Sequence, residues 1–288
     1  MQASSKTTLR QLLSRDQILA APASYDMVSA RLIERAGFEA VYLSGYGHSA
    51  SHLGLPDAGL ICFSEMLERL HHLVSAVGIP VIADGDTGFG GVLNVRRTIQ
   101  EYEGAGAQAI QIEDQEIPKK CGHTSGKRLV ATEEMIKKIE AAVASRRSDR
   151  LMIIARTDAV SVQGFDEAVR RARHYRAAGA DILFIESPTT IDQLRQIPQL
   201  LESPIMINQI EGGKTPILTV QELEAMGYKL VAYALTTLMA SVRAMQRVLK
   251  SLRKNGAPQS YADEIASFDE LDELLGFPEA REWEKRFR

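Results

Sequence analysis

The chain has 288 residues, 45% of them hydrophobic and 25% charged, with a net charge of −3. A large core can be buried, and neither disorder nor the basic surplus of a nucleic-acid binder is expected. No apolar run approaches the roughly 18 residues of a membrane span, and Met1 to Arg15 are too polar for a secretory signal. The expectation is therefore a cytoplasmic protein with no membrane and no nucleic-acid partner. Both cysteines, Cys62 and Cys121, should be free in that compartment. The most basic stretches, Arg146-Arg147 and Arg170 to Arg176, read as solvated helix faces.

Ile18 to Ala21 predicts a first strand, followed by a helix over Met27 to Ala36. Strands then recur at Ala40 to Leu43, Pro80 to Ala83, Ala109 to Ile112, Met152 to Ala155, Ile182 to Ile185, Ile205 to Ile207 and Leu230 to Ala232. Between them lie helical patterns over Leu93 to Ala105, Thr132 to Ala144, Phe165 to Ala178, Ile191 to Leu201 and Val220 to Met226. Alternation of this kind predicts a parallel sheet, and eight units allow closure into a (β/α)₈ TIM barrel of α/β class, normally about 250 residues. An open Rossmann sheet is the competitor, but no strand is followed by G-x-G-x-x-G. A long helix over Thr236 to Lys254 and short helices within Tyr261 to Phe287 follow. The chain thus reads as one barrel domain, 1–288, in which 236–288 is a helical extension with enough apolar residues to pack on the barrel or on a neighbouring subunit.

In such barrels chemistry sits at the C-terminal ends of the strands. These ends are polar: Asp84-Gly85-Asp86 after the third strand, Glu113-Asp114-Gln115 after the fourth, Arg156-Thr157-Asp158 after the fifth, Glu186 after the sixth and Asn208 after the seventh. Any one could cap or solvate a loop, yet so many charges at one mouth would repel unless a cation or substrate held them. Asp84 and Asp86, two apart, should project to one face of an extended strand end. Hard oxygen ligands without histidine suit Mg²⁺, with Mn²⁺ an alternative. Arg156 offers a fork for a carboxylate, and Ser44-Gly45-Tyr46 offers a close-approach turn with backbone N–H groups.

Gln115 to Val130 has no hydrophobic period, and loops of that length in compact domains usually act as lids. Cys121 lies there beside Lys119, Lys120 and His123, a positive setting that should favour the thiolate and let the group exchange protons near neutral pH. Cys62 lacks such neighbours and reads as a small buried hydrophobe.

The motifs Lys119-Lys120-Cys121-Gly122-His123, Leu43-Ser44-Gly45-Tyr46, Leu55-Pro56-Asp57, Asp84 to Gly88, Ile112 to Gln115 and Ala155 to Asp158 resemble the isocitrate lyase and phosphoenolpyruvate mutase superfamily, in consistent order from about Leu9 to Lys254. Glu211 to Pro216 is similar to the branch holding 2,3-dimethylmalate lyase, the petal death proteins and carboxyphosphonoenolpyruvate mutase. The resemblance implies a barrel with its eighth helix swapped between subunits, assembled as a homotetramer (a dimer of dimers), with Mg²⁺ at the mouth. It implies Asp84 as the metal ligand, with Asp57, Asp86 and Glu113 holding water around it. Ser44, Gly45, Tyr46, Arg156, Glu186 and Asn208 would contact a small carboxylate substrate, with Gly122 and His123 closing over it. Tyr42 would be a base and Cys121 an acid, in retro-aldol cleavage of a 2-hydroxy di- or tricarboxylate to a 2-oxo acid such as pyruvate. Phosphonomutase chemistry and oxaloacetate hydrolysis remain alternatives, although Ala234 supplies no hydroxyl for the latter. A non-catalytic barrel is disfavoured by the intact lid cysteine and carboxylates.

Overall fold

The computed structural model describes residues 7–257 and 261–288, so the first part of the polar opening stretch, Met1 to Lys6, lies outside the described residues. A boundary between Thr236 and Thr237 divides the chain into two compact units. In the first, β1 (Leu19–Ser24), β2 (Val41–Leu43), β3 (Val81–Asp84), β4 (Ala109–Glu113), β5 (Met152–Thr157), β6 (Ile182–Ile185), β7 (Ile205–Asn208) and β8 (Leu230–Tyr233) are parallel and close in sequence order, β8 pairing with β1. Closure excludes the open sheet. Strands β3, β4, β5 and β7 run past their expected ends, so Asp84, Glu113, Arg156 and Asn208 belong to strands rather than to loops.

Side chains alternate along each strand. One set, including Tyr42, Ile82, Ile154, Phe184, Met206 and Ala232, fills the barrel interior together with Leu9, Leu12 and Leu13 of α1 (Leu9–Leu13). The Leu9 N–H donates to Gln108, just before β4, which places α1 at the barrel's N-terminal end. The other set, including Val41, Val81, Ile110, Ile153 and Leu183, meets the surrounding helices. Continuing the interior parity toward the C-terminal end gives Asp84, Glu113, Arg156, Glu186 and Asn208. Their inward aim is a consequence of strand register.

The helices in chain order are α2 (Met27–Arg35), α3 (Gly45–His48), α4 (Phe63–Ala76), α5 (Val92–Ala105), α6 (Thr132–Ser145), α7 (Val160–Gln163), α8 (Phe165–Ala177), α9 (Ile191–Leu200) and α10 (Val220–Met226). Gly106 ends α5 at φ 101°, a left-handed conformation that favours glycine. The second unit contains nearly all of α11 (Thr236–Asn255), then α12 (Phe268–Leu275) and α13 (Phe277–Lys285). No helix among the described residues is long and apolar enough to cross a membrane.

Two sequence expectations are corrected. Cys62 is exposed, because it precedes α4 as its N-cap and its backbone N–H donates to Glu65. Arg171, expected on a solvated face, is buried and donates to Asp114, Val130 and Tyr175, because α8 turns it toward the end of β4.

His48 is fully buried, and neither nitrogen of its imidazole makes a hydrogen bond among the described residues. Burial, and next the charge of Arg69, push its pKa down to about 3. A histidine held neutral by the fold stabilises fully above its unfolded pKa of about 6.5 and loses that contribution as pH falls toward 3. Replacement by Leu should therefore flatten the acid limb of the stability curve by about 1.4 kcal/mol per pH unit across this window. Urea unfolding at a series of pH values checks this, and parallel curves for parent and His48→Leu would refute it.

Candidate active site

Asp84 ends β3 with both carboxylate oxygens engaged: Oδ2 accepts from the Gly45 N–H at 3.2 Å, and Oδ1 from the Asp86 N–H at 3.1 Å and Gln111 Nε2 at 3.4 Å. Strand alternation is not what brings Asp86 to the same face. Asp86 lies beyond the strand at φ 47°, and its carbonyl accepts from the Glu113 N–H at 2.9 Å. A Cβ on Gly45 would stand 2.7 Å from Asp84 Oδ2 and 3.4 Å from Asp86 Oδ1, so two carboxylates converge where only glycine leaves room.

Lys119 enters this group from the lid. Its Nζ lies 2.5 Å from Asp57 Oδ1 and 2.8 Å from Asp86 Oδ1. Burial opposes its charge, but Asp86, Glu113 and Asp57 together hold its pKa well above the ordinary lysine value. Glu113 Oε1 is buried with no hydrogen-bond partner among the described residues, and Oε2 is 3.4 Å from Arg156. Arg156 turns its fork on Asp158, at 3.0 and 2.9 Å, and also reaches Glu186 at 3.2 Å. The fork expected to hold substrate is thus already engaged by protein carboxylates.

The lid is pinned at several points. Gln115 braces Lys120 through both amide atoms, at 2.8 and 2.9 Å. The Gly122 carbonyl accepts from Lys127 Nζ and, at 3.2 Å, from Ser187 Oγ. His123 Nε2 meets Glu186 at 3.1 Å, and its Nδ1 accepts from the Lys214 N–H at 2.9 Å. The cavity is about 40 Å³, room for only a few waters with the lid in this position. A Cβ on Gly122 would clash with Arg156 Nη2 and with Glu186 Cγ at 2.5 Å. Gly122→Ala should consequently prevent seating of the lid and lower kcat/KM by roughly two orders of magnitude, with little change in melting temperature. Unaltered kinetics would show that this close approach is not used.

Tyr42, Ser44, Tyr46, Asp57, Asp84, Cys121, Gly122, His123, Arg156, Glu186 and Asn208 all line this cavity. Gly45, Asp86 and Glu113 do not line it; Gly45 and Asp86 stand against Asp84, and Glu113 against Arg156. Sequence reasoning missed Gln111, which accepts from Tyr42 Oη at 2.8 Å and donates to Asp84, and did not read Lys119, Lys127 or Asp158 as charge partners. A polar residue at an interior-parity position of an apolar strand was the available signal for Gln111.

Burial, then the Asp84 carboxylate, push the Tyr42 phenol well above its usual pKa, so here it is a proton donor. Burial also pushes the Cys121 thiol up, with Asp57 and Glu186 adding to the shift. The expected thiolate is therefore not favoured, because the Lys119 charge is spent on Asp57 and Asp86. Glu186 goes the other way: against burial, Arg156 and His123 hold it down to about 2.

Among the described residues, Asp57, Asp84, Asp86, Glu113, Asp158 and Glu186 face the cations Lys119, Lys127 and Arg156, with His123 hydrogen-bonded to Glu186, which leaves an excess of negative charge at the mouth. Burial pushes Asp86 up to about 6 and Glu113 well above the carboxylate range, against the opposing charge of Lys119 at Asp86 and of Arg156 at Glu113. Among the described residues no three Asp, Glu, His or Cys side chains form a closed ligand set. The orphaned Glu113 oxygen and the uncompensated charge nevertheless fit a hydrated divalent cation with few direct protein ligands.

Residues 9–253 match the Phosphoenolpyruvate phosphomutase family. The chain is 44% identical over 279 residues to 2,3-dimethylmalate lyase of Eubacterium barkeri, covering 97% of this chain and 96% of that protein. It is 45% identical over 278 residues to 2-methylisocitrate lyase of Aeropyrum pernix, covering 96% and 88%. A solved phosphonopyruvate hydrolase in complex with oxalate and Mg²⁺ superposes with a TM-score of 0.88 at 34% identity, over 97% of each chain. The match over nearly the whole barrel, on a closed mouth of converging carboxylates, shows that the chain belongs to the phosphoenolpyruvate phosphomutase family and is an enzyme of the isocitrate lyase and phosphoenolpyruvate mutase superfamily.

Proposed function

We propose that this enzyme is a Mg²⁺-dependent carbon–carbon lyase that cleaves a 2-hydroxy di- or tricarboxylate to a 2-oxo acid such as pyruvate. The observation that carries the reading is the placing of Asp84, Arg156 and a protonated Cys121 around one cavity. The two lyases among the relatives support it. Asp84 would hold the metal directly, and Asp57, Asp86 and Glu113 its water. When bound, the metal supplies positive charge to an oxygen that becomes anionic during cleavage.

The chain's own residues do the rest. Ser44 and Tyr46 seat one carboxylate at the end of β2, where Gly45 lets Asp84 approach, and Gly122 and His123 exclude water above it. The substrate hydroxyl gives its proton to Tyr42, which must enter the cycle ionised; burial opposes that form and Arg156 favours it. The oxygen's electrons form the carbonyl, the carbon–carbon bond breaks, and its pair moves to the departing carbon as an enolate. The Cys121 thiol protonates that carbon, and the cysteine is then reprotonated from the base or from water.

The test is a metal-dependent 2-oxo acid release assay across 2-methyl-substituted malates, 2-methylisocitrate and oxaloacetate, with phosphorus NMR of phosphonopyruvate alongside. Release from a hydroxy acid is expected; isomerisation of phosphonopyruvate without release would replace the lyase reading with the mutase one.

The free thiols suit a reducing cytoplasm. Met239, Val242, Met245, Leu249 and Leu252 along α11 are exposed at helical spacing. A partner subunit covering that face would give the helix-swapped homotetramer. Sedimentation at micromolar concentration should show a tetramer, and a monodisperse monomer would remove the assembly.

A further inference from the structure

The barrel mouth has two unlike halves. Strands β2 to β5 and the lid bring Asp84, Arg156, Lys119 and their charged partners. On the side of β6 to β8, Phe184, Met206, Ile210, Ala234 and Leu235 form the cavity wall. Phe184 pairs with Met206 in register, and Asn208 with Ala232, so this wall is continuous across the three strands. At the end of β8, where the other strands present Asp84, Glu113, Arg156, Glu186 or Asn208, the chain places Ala234. The polar side chains on this side are Glu186, an anion, and Asn208, an uncharged amide whose buried Oδ1 has no partner among the described residues.

Every cation that lines the cavity faces a carboxylate. Lys119 meets Asp57 and Asp86, and Arg156 meets Asp158, Glu113 and Glu186. On the lyase reading, the metal at Asp84 and the end of β2 would already be taken up by the substrate's other carboxylates. A further carboxylate, carried on the departing fragment toward β6 to β8, would meet apolar carbon and the Glu186 anion, with no charge to compensate its desolvation. An alkyl branch would instead bury its carbon there.

Building on the lyase reading, we infer that the site selects a 2-hydroxy dicarboxylate with alkyl substituents on the departing carbon and rejects a tricarboxylate, and that Ala234 and Leu235 are specificity-determining residues. A cation introduced into this wall should reverse part of the preference.

The Mg²⁺-loaded enzyme should cleave 2,3-dimethylmalate with kcat/KM at least about a hundredfold above that for 2-methylisocitrate. Methylsuccinate should likewise bind more tightly than tricarballylate by thermal shift, a comparison that needs no turnover. Leu235→Arg should narrow both preferences by about tenfold or more; a merely structural role would weaken both classes equally and overturn the assignment of Leu235. Equal or better use of the tricarboxylates by the parent enzyme would overturn the selectivity and leave the lyase reading standing. Release of 2-oxo acid from neither substrate would overturn the lyase reading, while the methylsuccinate and tricarballylate comparison would still decide the selectivity.

Discussion

Asp84→Ala should abolish measurable turnover and Mg²⁺ affinity while leaving the barrel folded. Asp84 is buried, and its two oxygens take hydrogen bonds from Gly45, Asp86 and Gln111, so deletion leaves three donors short of an acceptor. Such losses cost about 1 to 3 kcal/mol each when water cannot replace the partner. Against that cost, the substitution removes one carboxylate from a group already short of positive charge, which relieves repulsion. The two effects oppose each other, and the apolar layers of the barrel below are untouched. A cooperative unfolding transition is therefore expected in the variant. Calorimetric titration of Mg²⁺ provides the readout independent of turnover: binding as tight as in the parent would show that Asp84 is not the ligand. Asp84→Asn, which keeps an acceptor for Gly45, should fold more nearly like the parent and still lose most of the metal affinity.

All eight strands were legible because their interior and exterior positions are both apolar, as in Val81-Ile82-Ala83 or Ile182 to Ile185, and both faces are buried. The same parity made the inward residues at the strand ends readable, although whether they lay in strands or loops was not. Helix α4 went unread despite Met66, Leu70 and Leu73 recurring at helical spacing, since its start at Phe63 follows a loop rather than an apolar strand. Lys119 shows the limit most clearly. In sequence it is a neighbour of Cys121, and its charge seemed to belong to the thiol; in the fold it bridges Asp57 and Asp86, which are 62 and 33 residues upstream. Pairing across such distances depends on how the lid lies on the mouth, and no local pattern encodes that. Cys62 failed for a related reason: a short apolar neighbourhood does not distinguish a core position from a helix N-cap.

Cys121→Ser should slow turnover by roughly two to four orders of magnitude while scarcely altering the binding of oxalate or another pyruvate-like inhibitor. The lid at this point is held by backbone rather than by sulfur: the Cys121 N–H donates to the Asp57 carbonyl at 3.3 Å, and the Cys121 carbonyl accepts from the Thr124 N–H at 3.0 Å and from Thr124 Oγ1 at 2.8 Å. Exchange of sulfur for oxygen leaves these bonds in place, so the lid should still close. What changes is acidity. Burial raises the thiol, which keeps it protonated at neutral pH, the form an acid needs; a serine hydroxyl is far less acidic and donates its proton to a carbanion much more slowly. Retention of inhibitor affinity with loss of kcat would place the defect in proton delivery rather than in binding. Loss of inhibitor affinity would make Cys121 a positioning residue of the lid. Near-normal turnover would remove the acid role altogether and favour phosphorus–carbon chemistry, in which no carbon has to be protonated.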